Sequence, residues 1–462
     1  MKNSVLCVVT ALLLVGCASE KESKYSEKIN KSECKMKTEW DLSDLYQSIS
    51  DNSIIKDKSQ IEKLVESFRN DYKGRISIRN LKNAILRYEK IMVMQSKLSL
   101  YSMLYTCTRQ NDDNALSFEQ SISEWNANID SKLVFFAIEI TRLEPNALNK
   151  AIEKDAELAK YKSWILDVTK YKKHLLENDV EEALSKKDLV ASKAWRKFYE
   201  ETLNRVEIDF KGKKVRLPDL LEIASENKDP KTREQAFRAI SKRFKEENFY
   251  VKHTYNNILL NRSIEDKLRN YDKPESFRHL LNNIDQKSVD ALTGAVVESY
   301  AKISHRYYKL KAKLLGREKI EYWDRNAPIN LSSILDKKIS YESGTKMILD
   351  VFGKFSGTFK DIASDFINKG WIDVYPRKGK RNGAFAIGGF SSEIHPYLFL
   401  NYFDSISDVS TLAHELGHGI HFALSMKNGP LLSWPPMTLG EVVSLFAEQL
   451  LFEEIYNIIF RY

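Results

Sequence analysis

Two histidines and a glutamate in the segment from Asp408 to His421 have the types and the spacing of a metal site. His414 and His418 stand four residues apart, so on an α-helix both imidazoles leave the same face and can bind one Zn²⁺ ion. Glu415 is turned roughly 100° away from His414 around the helix, where it can take a proton from a water molecule and pass it to a leaving amine. The pattern predicts a zinc peptidase site with Glu415 as the general base.

A helix face of this kind is hard to explain by packing alone. Burying His414, His418 and His421 with an acid between them is costly without a metal or several hydrogen-bond partners. Asp408 or Ser407 is the predicted N-cap of this helix. Its predicted apolar contacts are Leu412, Leu416, Ile420 and Phe422.

A third ligand is expected downstream, at Glu441. It follows His418 by 23 residues, which leaves room for a loop and a return helix that is predicted to begin near Thr438. Two imidazoles and one carboxylate leave a fourth position open, as a catalytic zinc site requires. Alternatively, Thr438–Glu441 forms a capping box, and Glu448, two turns further along the same face, is the rival ligand. If Glu441 binds the metal, Glu448 is expected to orient a ligand imidazole.

Several segments together resemble oligoendopeptidase F, one of the thimet-oligopeptidase-like zinc metallopeptidases. The most specific are Gly370–Phe385, His395–Tyr402 and the metal helix, and the likeness extends to Trp40–Tyr46 and Tyr322–Pro328. The resemblance implies a mainly α body with a small β element beside the metal helix, one zinc ion per chain, and Glu441 as the third ligand. It also implies hydrolysis of short oligopeptides in a cleft between helical halves.

The segment from Gly383 to Tyr402 is predicted to be a glycine-rich loop followed by a short strand at Tyr397–Tyr402. In peptidases of this type such a strand lies beside the cleft, and its free edge can pair with the backbone of an extended peptide. A structural hairpin without substrate contact explains any one of these residues equally well. His395 and Tyr397 are the candidate substrate-binding residues.

Residues 1–17 are predicted to be a lipoprotein signal peptide. Lys2 supplies a positive charge, and Val5–Val15 is an apolar stretch too short to span a bilayer comfortably. Leu14–Cys17 resembles the lipobox of bacterial lipoproteins, which makes Cys17 the predicted lipidation site. An ordinary secretory signal or an uncleaved anchor is the alternative. In each case the chain is exported, and a lipid anchor would place it on the extracytoplasmic side of a membrane of the bacterial cell envelope.

The remaining chain divides into three predicted parts. Residues 18–37 are a polar, flexible tether; residues 38–208 are an N-terminal helical domain; and residues 209–462 are the catalytic domain. The helical periodicity is clearest in the segments 56–72, 78–107, 114–142, 189–206 and 231–262. Asp209–Pro218 is predicted to be a turn with short extended flanks at the seam between the two domains.

Composition argues against a nucleic-acid partner. The formal charge of +8 comes from 72 basic and 64 acidic residues, without a long run of one sign or an aromatic-basic module. Cys34 and Cys107 lack metal-ligand spacing and are expected to be free or incidental thiols.

The end of the sequence leaves two functions open. The chain stops at Tyr462 inside an apolar helical pattern, whereas members of the resembled family continue further. The catalytic domain is therefore expected to be incomplete, and another chain is a possible source of the missing C-terminal part. The first function is a zinc-dependent oligopeptidase, and the second is a truncated, catalytically impaired lipoprotein that keeps the zinc site and binds peptides or a partner.

Overall fold

The computed structural model describes residues 36–329 and 338–460, and within them the fold is mainly α with two small sheets. This confirms the predicted fold class. The signal peptide, Cys17, Cys34 and most of the tether lie outside the described residues, and the domain boundaries stay predictions. In the described ranges, no helix combines the length and the apolar character needed to cross a membrane.

The N-terminal part is a layer of helices. Their bounds are α1 Asn52–Tyr72, α2 Leu81–Cys107, α3 Asp113–Arg142, α4 Pro145–Lys154, α5 Ala156–Lys160, α6 Lys162–Thr169, α7 Asn178–Lys187 and α8 Ser192–Asn204. The first of them begins four residues before the predicted segment, because the side chain of Asp51 caps it by accepting a hydrogen bond from the backbone N–H of Ser53.

A two-stranded hairpin follows, with the expected turn and extended flanks. Strand β1 (Glu207–Phe210) pairs antiparallel with β2 (Lys213–Arg216). The next helices are α9 Leu217–Glu226, α10 Pro230–Glu246, α11 Asn248–Leu268, α12 Ser276–Leu281, α13 Gln286–Ser299 and α14 Ser304–Leu314. The predicted single segment 231–262 is in fact two helices that meet at Glu247, because the apolar spacing continues through this junction and does not reveal the break.

The C-terminal part contains the second sheet and the helix with the histidines. Its elements are α15 Tyr341–Phe355, α16 Gly357–Lys369, β3 Ile372–Asp373, β4 Phe385–Ile387, β5 Tyr397–Phe399, α17 Ile406–Ser425 and α18 Met437–Phe460. The sheet order is β3-β5-β4, with β3 parallel and β4 antiparallel to the central strand.

The position of β5 corrects one prediction. Both of its edges are paired, with Leu398 opposite Ile372 on one side and opposite Ala386 on the other. It therefore cannot offer a free edge to a peptide, and the sequence assignment of the edge was wrong. Among the described strands of this sheet, β4 has an unpaired edge, whereas on the β3 side Val374 N–H, just after the strand, donates to the carbonyl of Thr38.

The sheet joins two apolar cores. Alternation along β5 sends Tyr397 into the core of the N-terminal helices and Leu398 into the core formed by α15, α16, α17 and α18. A third, smaller core lies between the hairpin, α9 and α10. The histidine helix α17 thus packs in a core that shares its sheet with the core of the N-terminal helices.

Candidate metal centre

Helix α17 begins with a reciprocal cap. The hydroxyl of Ser405 accepts from the backbone N–H of Asp408, while the carboxylate of Asp408 accepts from the backbone N–H of Ser405. The N-cap is therefore Ser405, and the predicted caps Asp408 and Ser407 were wrong. A capping box satisfies two backbone donors with two side chains, whereas either predicted residue alone would satisfy one.

The two motif histidines lie side by side on this helix. The ring centroids of His414 and His418 are 4.9 Å apart, and both side chains remain partly open to solvent. The opposite face of the helix is fully buried through Leu412, Leu416 and Ile420. This packing fixes the rotation of the helix and directs both imidazoles toward α18.

A glycine allows α18 to approach closely. A Cβ atom on Gly417 would lie 2.6 Å from the Cα of Ser444 and 2.8 Å from the carbonyl oxygen of Val443. Because only a hydrogen occupies this space, the two helices cross at short distance. Glu441 Oε2 consequently lies 3.5 Å from His414 Nε2 and 3.6 Å from His418 Nε2.

These three residues form a cluster of possible metal ligands. One donor atom from each of His414, His418 and Glu441 lies within 4.8 Å of the others. The capping-box alternative for Glu441 does not form, since α18 begins at Met437 and the hydroxyl of Thr438 donates to the carbonyl of Asn282. The structure therefore brings together the three residues predicted as ligands.

Glu448 lies on the other side of the His414 ring. Its Oε2 is 3.3 Å from His414 Nδ1, and its Oε1 accepts a hydrogen bond of 2.9 Å from the hydroxyl of Ser410. The hydrogen bond with Glu448 raises the pKa of His414, and the same contact lowers the pKa of Glu448. With Nδ1 held in this way, Nε2 of His414 faces Glu441.

Glu415, the residue between the two motif histidines, is buried. Only 7% of its surface is exposed, and its Oε2 has no hydrogen-bond partner among the described residues. Burial raises the pKa of this carboxyl to about 7; the positive charge of His414 lowers it, and the negative charge of Glu441 adds to the rise. A carboxyl with a pKa near neutrality can both accept and release a proton.

The donor set fits a zinc ion. Zinc prefers imidazole nitrogen and carboxylate oxygen, and two imidazoles with one carboxylate are an established catalytic set. Glu415 Oε2 is buried without a hydrogen-bond partner among the described residues, and a water molecule at the metal would provide one. The residues present thus satisfy the chemical requirements of the cofactor that the sequence predicts.

His395 and Tyr397 do not join this cluster. The ring of His395 stacks on Trp371, and its Nε2 lies 2.9 Å from Asp44 Oδ2. Tyr397 is fully buried and donates its hydroxyl to the same carboxylate. Both polar groups are therefore engaged by the N-terminal segment, and their predicted contact with substrate stays a prediction.

The free edge of β4 presents one backbone position. Leu398 N–H donates to the carbonyl of Trp371 and Leu400 N–H to that of Asp373, so the polar groups of Leu398 point toward β3. In an antiparallel pair the opposite residue, Ala386, then points its N–H and C=O away from β5. These two groups are placed to hydrogen-bond with an extended chain beside the strand.

Comparison with known proteins identifies the family. The model of Peptidase family M3 matches residues 223–457, which include every residue of the histidine and glutamate cluster. The chain belongs to peptidase family M3. A second model, described as Oligopeptidase F, matches residues 139–207. The expected resemblance and the expected enzyme class, a metalloendopeptidase of the oligoendopeptidase F type, are confirmed at the level of the family, which also implies a metal cofactor.

Individual relatives agree with this membership of family M3. The M3 chain is 24% identical over 461 residues to Oligopeptidase PepF of Bacillus subtilis, a match that covers 96% of this chain and 66% of that protein. It is 27% identical over 437 residues to an Oligoendopeptidase F homolog of Borreliella burgdorferi, with 92% and 71% covered. The chain therefore spans about two thirds of the length of these curated relatives.

Solved structures share the fold of this M3 chain. Oligoendopeptidase-F from Enterococcus faecium superposes with a TM-score of 0.60 at 16% identity, covering 88% of this chain and 67% of that chain. PZ peptidase A with an inhibitor gives a TM-score of 0.68 at 15% identity, covering 90% and 72%.

Two serines and one glycine of this M3 site were not predicted. Ser410 bonds to Glu448 across the helix crossing, so no spacing in the sequence connects them. Ser444 follows Glu441 by three residues on one helix, and this spacing was a usable signal. Gly417 lies inside the motif, where its lack of a side chain indicates a close contact only when the partner helix is known.

Proposed function

We propose that this M3 chain is a zinc-dependent endopeptidase that hydrolyses short oligopeptides. One observation carries the proposal: donor atoms of His414, His418 and Glu441 lie within 4.8 Å of one another, and Glu415, the residue after His414 in the chain, carries a buried carboxyl. Family membership supports the same reaction class.

The proposed ligand atoms are Nε2 of both histidines and Oε2 of Glu441. A zinc ion held by them would supply Lewis acidity toward a water molecule and toward the scissile carbonyl. In this proposal Glu448 accepts a hydrogen bond from His414 Nδ1–H, which leaves the lone pair of Nε2 free for the metal. Ser410 in turn restrains the carboxylate of Glu448.

Glu415 does the proton transfer in this proposal. Its carboxylate takes a proton from the attacking water at Oε2, the oxygen that has no partner in the described structure. It then donates this proton to the leaving amine nitrogen. The burial that raises the pKa of Glu415 to about 7 suits both steps, because a weaker base would not accept the proton and a stronger one would not release it.

The substrate backbone is proposed to pair with the free edge of β4. The N–H and C=O of Ala386 would bond to an extended peptide beside the strand, in the manner of an added β-strand. Such pairing recognises the shape of a peptide and tolerates many side chains. It is therefore suited to a class of short peptides.

A second candidate function is a peptide-binding or interaction protein that holds zinc without turnover. It is favoured by exposed apolar side chains: α18, which carries Glu441, exposes Leu439, Val442 and Leu445, and α13 exposes Leu292, Val296 and Val297. A further polypeptide that covers these helices is the partner proposed, and the chain is impaired without it in this interpretation.

The two functions are separated by a turnover experiment. The full chain is loaded with zinc and mixed with a short quenched fluorogenic peptide, before and after treatment with a chelator. Cleavage that stops on chelation and returns with zinc supports the peptidase. Zinc bound without any cleavage favours the second function, and cleavage that persists after complete zinc removal contradicts the first.

For the location of the protein, we infer from the pattern of residues 1–17 a lipid anchor at Cys17 on the extracytoplasmic side of a bacterial membrane. Incorporation of labelled palmitate into the chain, lost in the Cys17→Ser variant, is the expected result. An unlabelled wild-type chain would contradict the anchor.

A further inference from the structure

Ser444 is a buried serine at the crossing of α17 and α18. It has no exposed surface, and its hydroxyl lies 3.0 Å from Glu441 Oε2 and 3.0 Å from the backbone carbonyl of the same residue. A hydroxyl carries one proton, so these two acceptors compete for it. Donation to the carbonyl would be ordinary back-bonding within a helix, and donation to the carboxylate would act on the metal site.

The carboxylate of Glu441 has little else to hold it. Its side chain is 48% exposed, and Ser444 is the one side chain in the described ranges that donates a hydrogen bond to it. Oε2, which accepts this bond, is also the oxygen that faces both histidines. Without Ser444, the carboxylate could rotate into solvent at small cost.

We propose that Ser444 is a positioning residue, whose hydroxyl donates to Glu441 Oε2 and holds this oxygen toward His414 and His418. This inference rests on the proposed zinc site. A carboxylate is a better acceptor than a neutral carbonyl, because hydrogen bonds to charged groups are stronger. The proton is therefore directed to Oε2 when Glu441 is ionised.

The position also explains why the residue is a serine. Gly417 leaves room for the backbone of Ser444 at the crossing, because a Cβ atom on Gly417 would lie only 2.6 Å from the Cα of Ser444. A long polar side chain would not fit between these helices, whereas a hydroxymethyl group reaches Oε2 within its own turn. A small residue that can donate is required at this point.

The test compares zinc affinity in two serine variants. Ser131 is an apt control, since it is also fully buried in a helix and donates to the carbonyl three residues earlier, that of Asn128, but has no carboxylate acceptor in the part of the chain that the structure describes. Zinc alone is titrated into the metal-free full chain against a chromophoric chelator. We expect Ser444→Ala to weaken zinc binding by roughly 10- to 100-fold, the usual effect of removing a partner that orients a ligand, and Ser131→Ala to leave it unchanged.

Melting of the metal-free proteins distinguishes positioning from packing. Both variants lose a buried hydroxyl, so similar changes in melting temperature are expected. A second variant, Ser444→Gly, removes the same hydroxyl and places no methyl group next to Gly417. If the alanine variant does not fold, the zinc affinity of Ser444→Gly is compared with that of the wild type instead.

Three results would overturn the inference. If the Ser444 variants bind zinc as tightly as the wild type, the hydroxyl does not position Glu441 and only donates to the backbone carbonyl within its helix. An equal loss in Ser131→Ala would make the effect one of general stability. A wild-type chain that binds no zinc would remove the proposed function itself, together with the inference that rests on it.

Discussion

The carboxyl group of Glu415 is far more buried than those of the other two acids near the histidines. Its residue is 7% exposed, against 48% and 41% for the side chains of Glu441 and Glu448. Burial raises the pKa of Glu415 to about 7 in the metal-free chain. Hydrogen bonds with His414 and Ser410 lower the pKa of Glu448. Neighbouring carboxylates with different environments can therefore perform different tasks, one as a base and one as a support.

This pKa predicts a pH-dependent stability. Because the value of about 7 lies above the ordinary 4.5, the folded chain binds this proton more tightly than the unfolded chain between these limits. The free energy of unfolding of the metal-free chain should fall as the pH rises from about 4.5 to about 7. We expect metal-free Glu415→Gln to exceed the wild type by on the order of 1–3 kcal/mol above pH 7 and to match it near pH 4.5, as measured by urea denaturation. A difference independent of pH would show that ionisation is not its cause.

At this scale the sequence predicted the residues that a helical period connects. The spacing of His414, Glu415 and His418 determines which side chains share a face, and this depends on local geometry alone. The hydrogen bond from Ser410 to Glu448 could not be predicted, because it depends on how two helices separated by a loop cross. Glu448 was expected from metal chemistry to orient one of the ligand imidazoles, and in the structure its Oε2 lies 3.3 Å from His414 Nδ1.

Among the elements, the crossing of α17 and α18 depends on Gly417. Gly417→Ala would place a methyl group 2.6 Å from the Cα of Ser444, so the helices must separate. We expect the free energy of unfolding to fall by about 1–3 kcal/mol and zinc affinity to drop, as Glu441 is displaced from the histidines.

Gly440→Ala is the matched control for this variant. It lies in α18 with nothing within 4 Å of its added Cβ, and it has no positive φ angle. The substitution should stabilise the chain by about 0.5–1 kcal/mol, because alanine is the better helix former. Equal effects of the two substitutions would contradict the close-crossing explanation.

The edge of β4 yields a prediction about substrate. Ala386→Pro removes an N–H that makes no bond within the sheet, and proline is tolerated on an edge strand at such a position. We expect KM for a short peptide to rise by roughly 5- to 10-fold, the loss of one backbone hydrogen bond, with zinc affinity unchanged. Ala386→Gly keeps the N–H and should stay near the wild type. The same KM in both variants would show that the substrate does not bond to the N–H of Ala386.

The order of the strands in the sheet could not be predicted from sequence patterns. Alternating apolar residues correctly indicated a strand near Tyr397, but they do not say which neighbours flank it. The pairing partners of β5 are set by contacts distant in the chain, including those of Trp371 and Asp373. The shift of the N-cap to Ser405 has a more local cause, since the reciprocal bonds with Asp408 satisfy two donors at once.

For the whole molecule, the N-terminal segment acts as a tie between the halves. Asp44 accepts from the hydroxyl of Tyr397 and contacts His395, and Trp40 donates its indole N–H to the carbonyl of Trp371. The residues just after the predicted tether are thus bound to the sheet that supports the histidine helix.

Loss of this tie should destabilise the chain. We expect Asp44→Ala to lower the free energy of unfolding by about 1 kcal/mol, a modest figure because the carboxylate is partly exposed and screened by solvent. The hydrogen bonds from His395 and Tyr397 outweigh burial and lower the pKa of Asp44, so its contribution should be present above pH 3.8 and lost as the pH falls below it. Asp41→Ala is the control, since among the described residues Asp41 bonds only to the nearby Ser43 and Lys37, and it should change thermal unfolding much less. An equal effect of the two substitutions would contradict the tie.

The most direct test of the zinc peptidase is the Glu415→Gln variant, assayed for zinc content and for peptide turnover in the same preparation. The proposed mechanism predicts one zinc ion per chain, as in the wild type, because His414, His418 and Glu441 are untouched, together with the loss of detectable cleavage. Turnover close to that of the wild type would contradict the role of Glu415. Loss of zinc together with turnover would show that this carboxyl group serves the metal site itself.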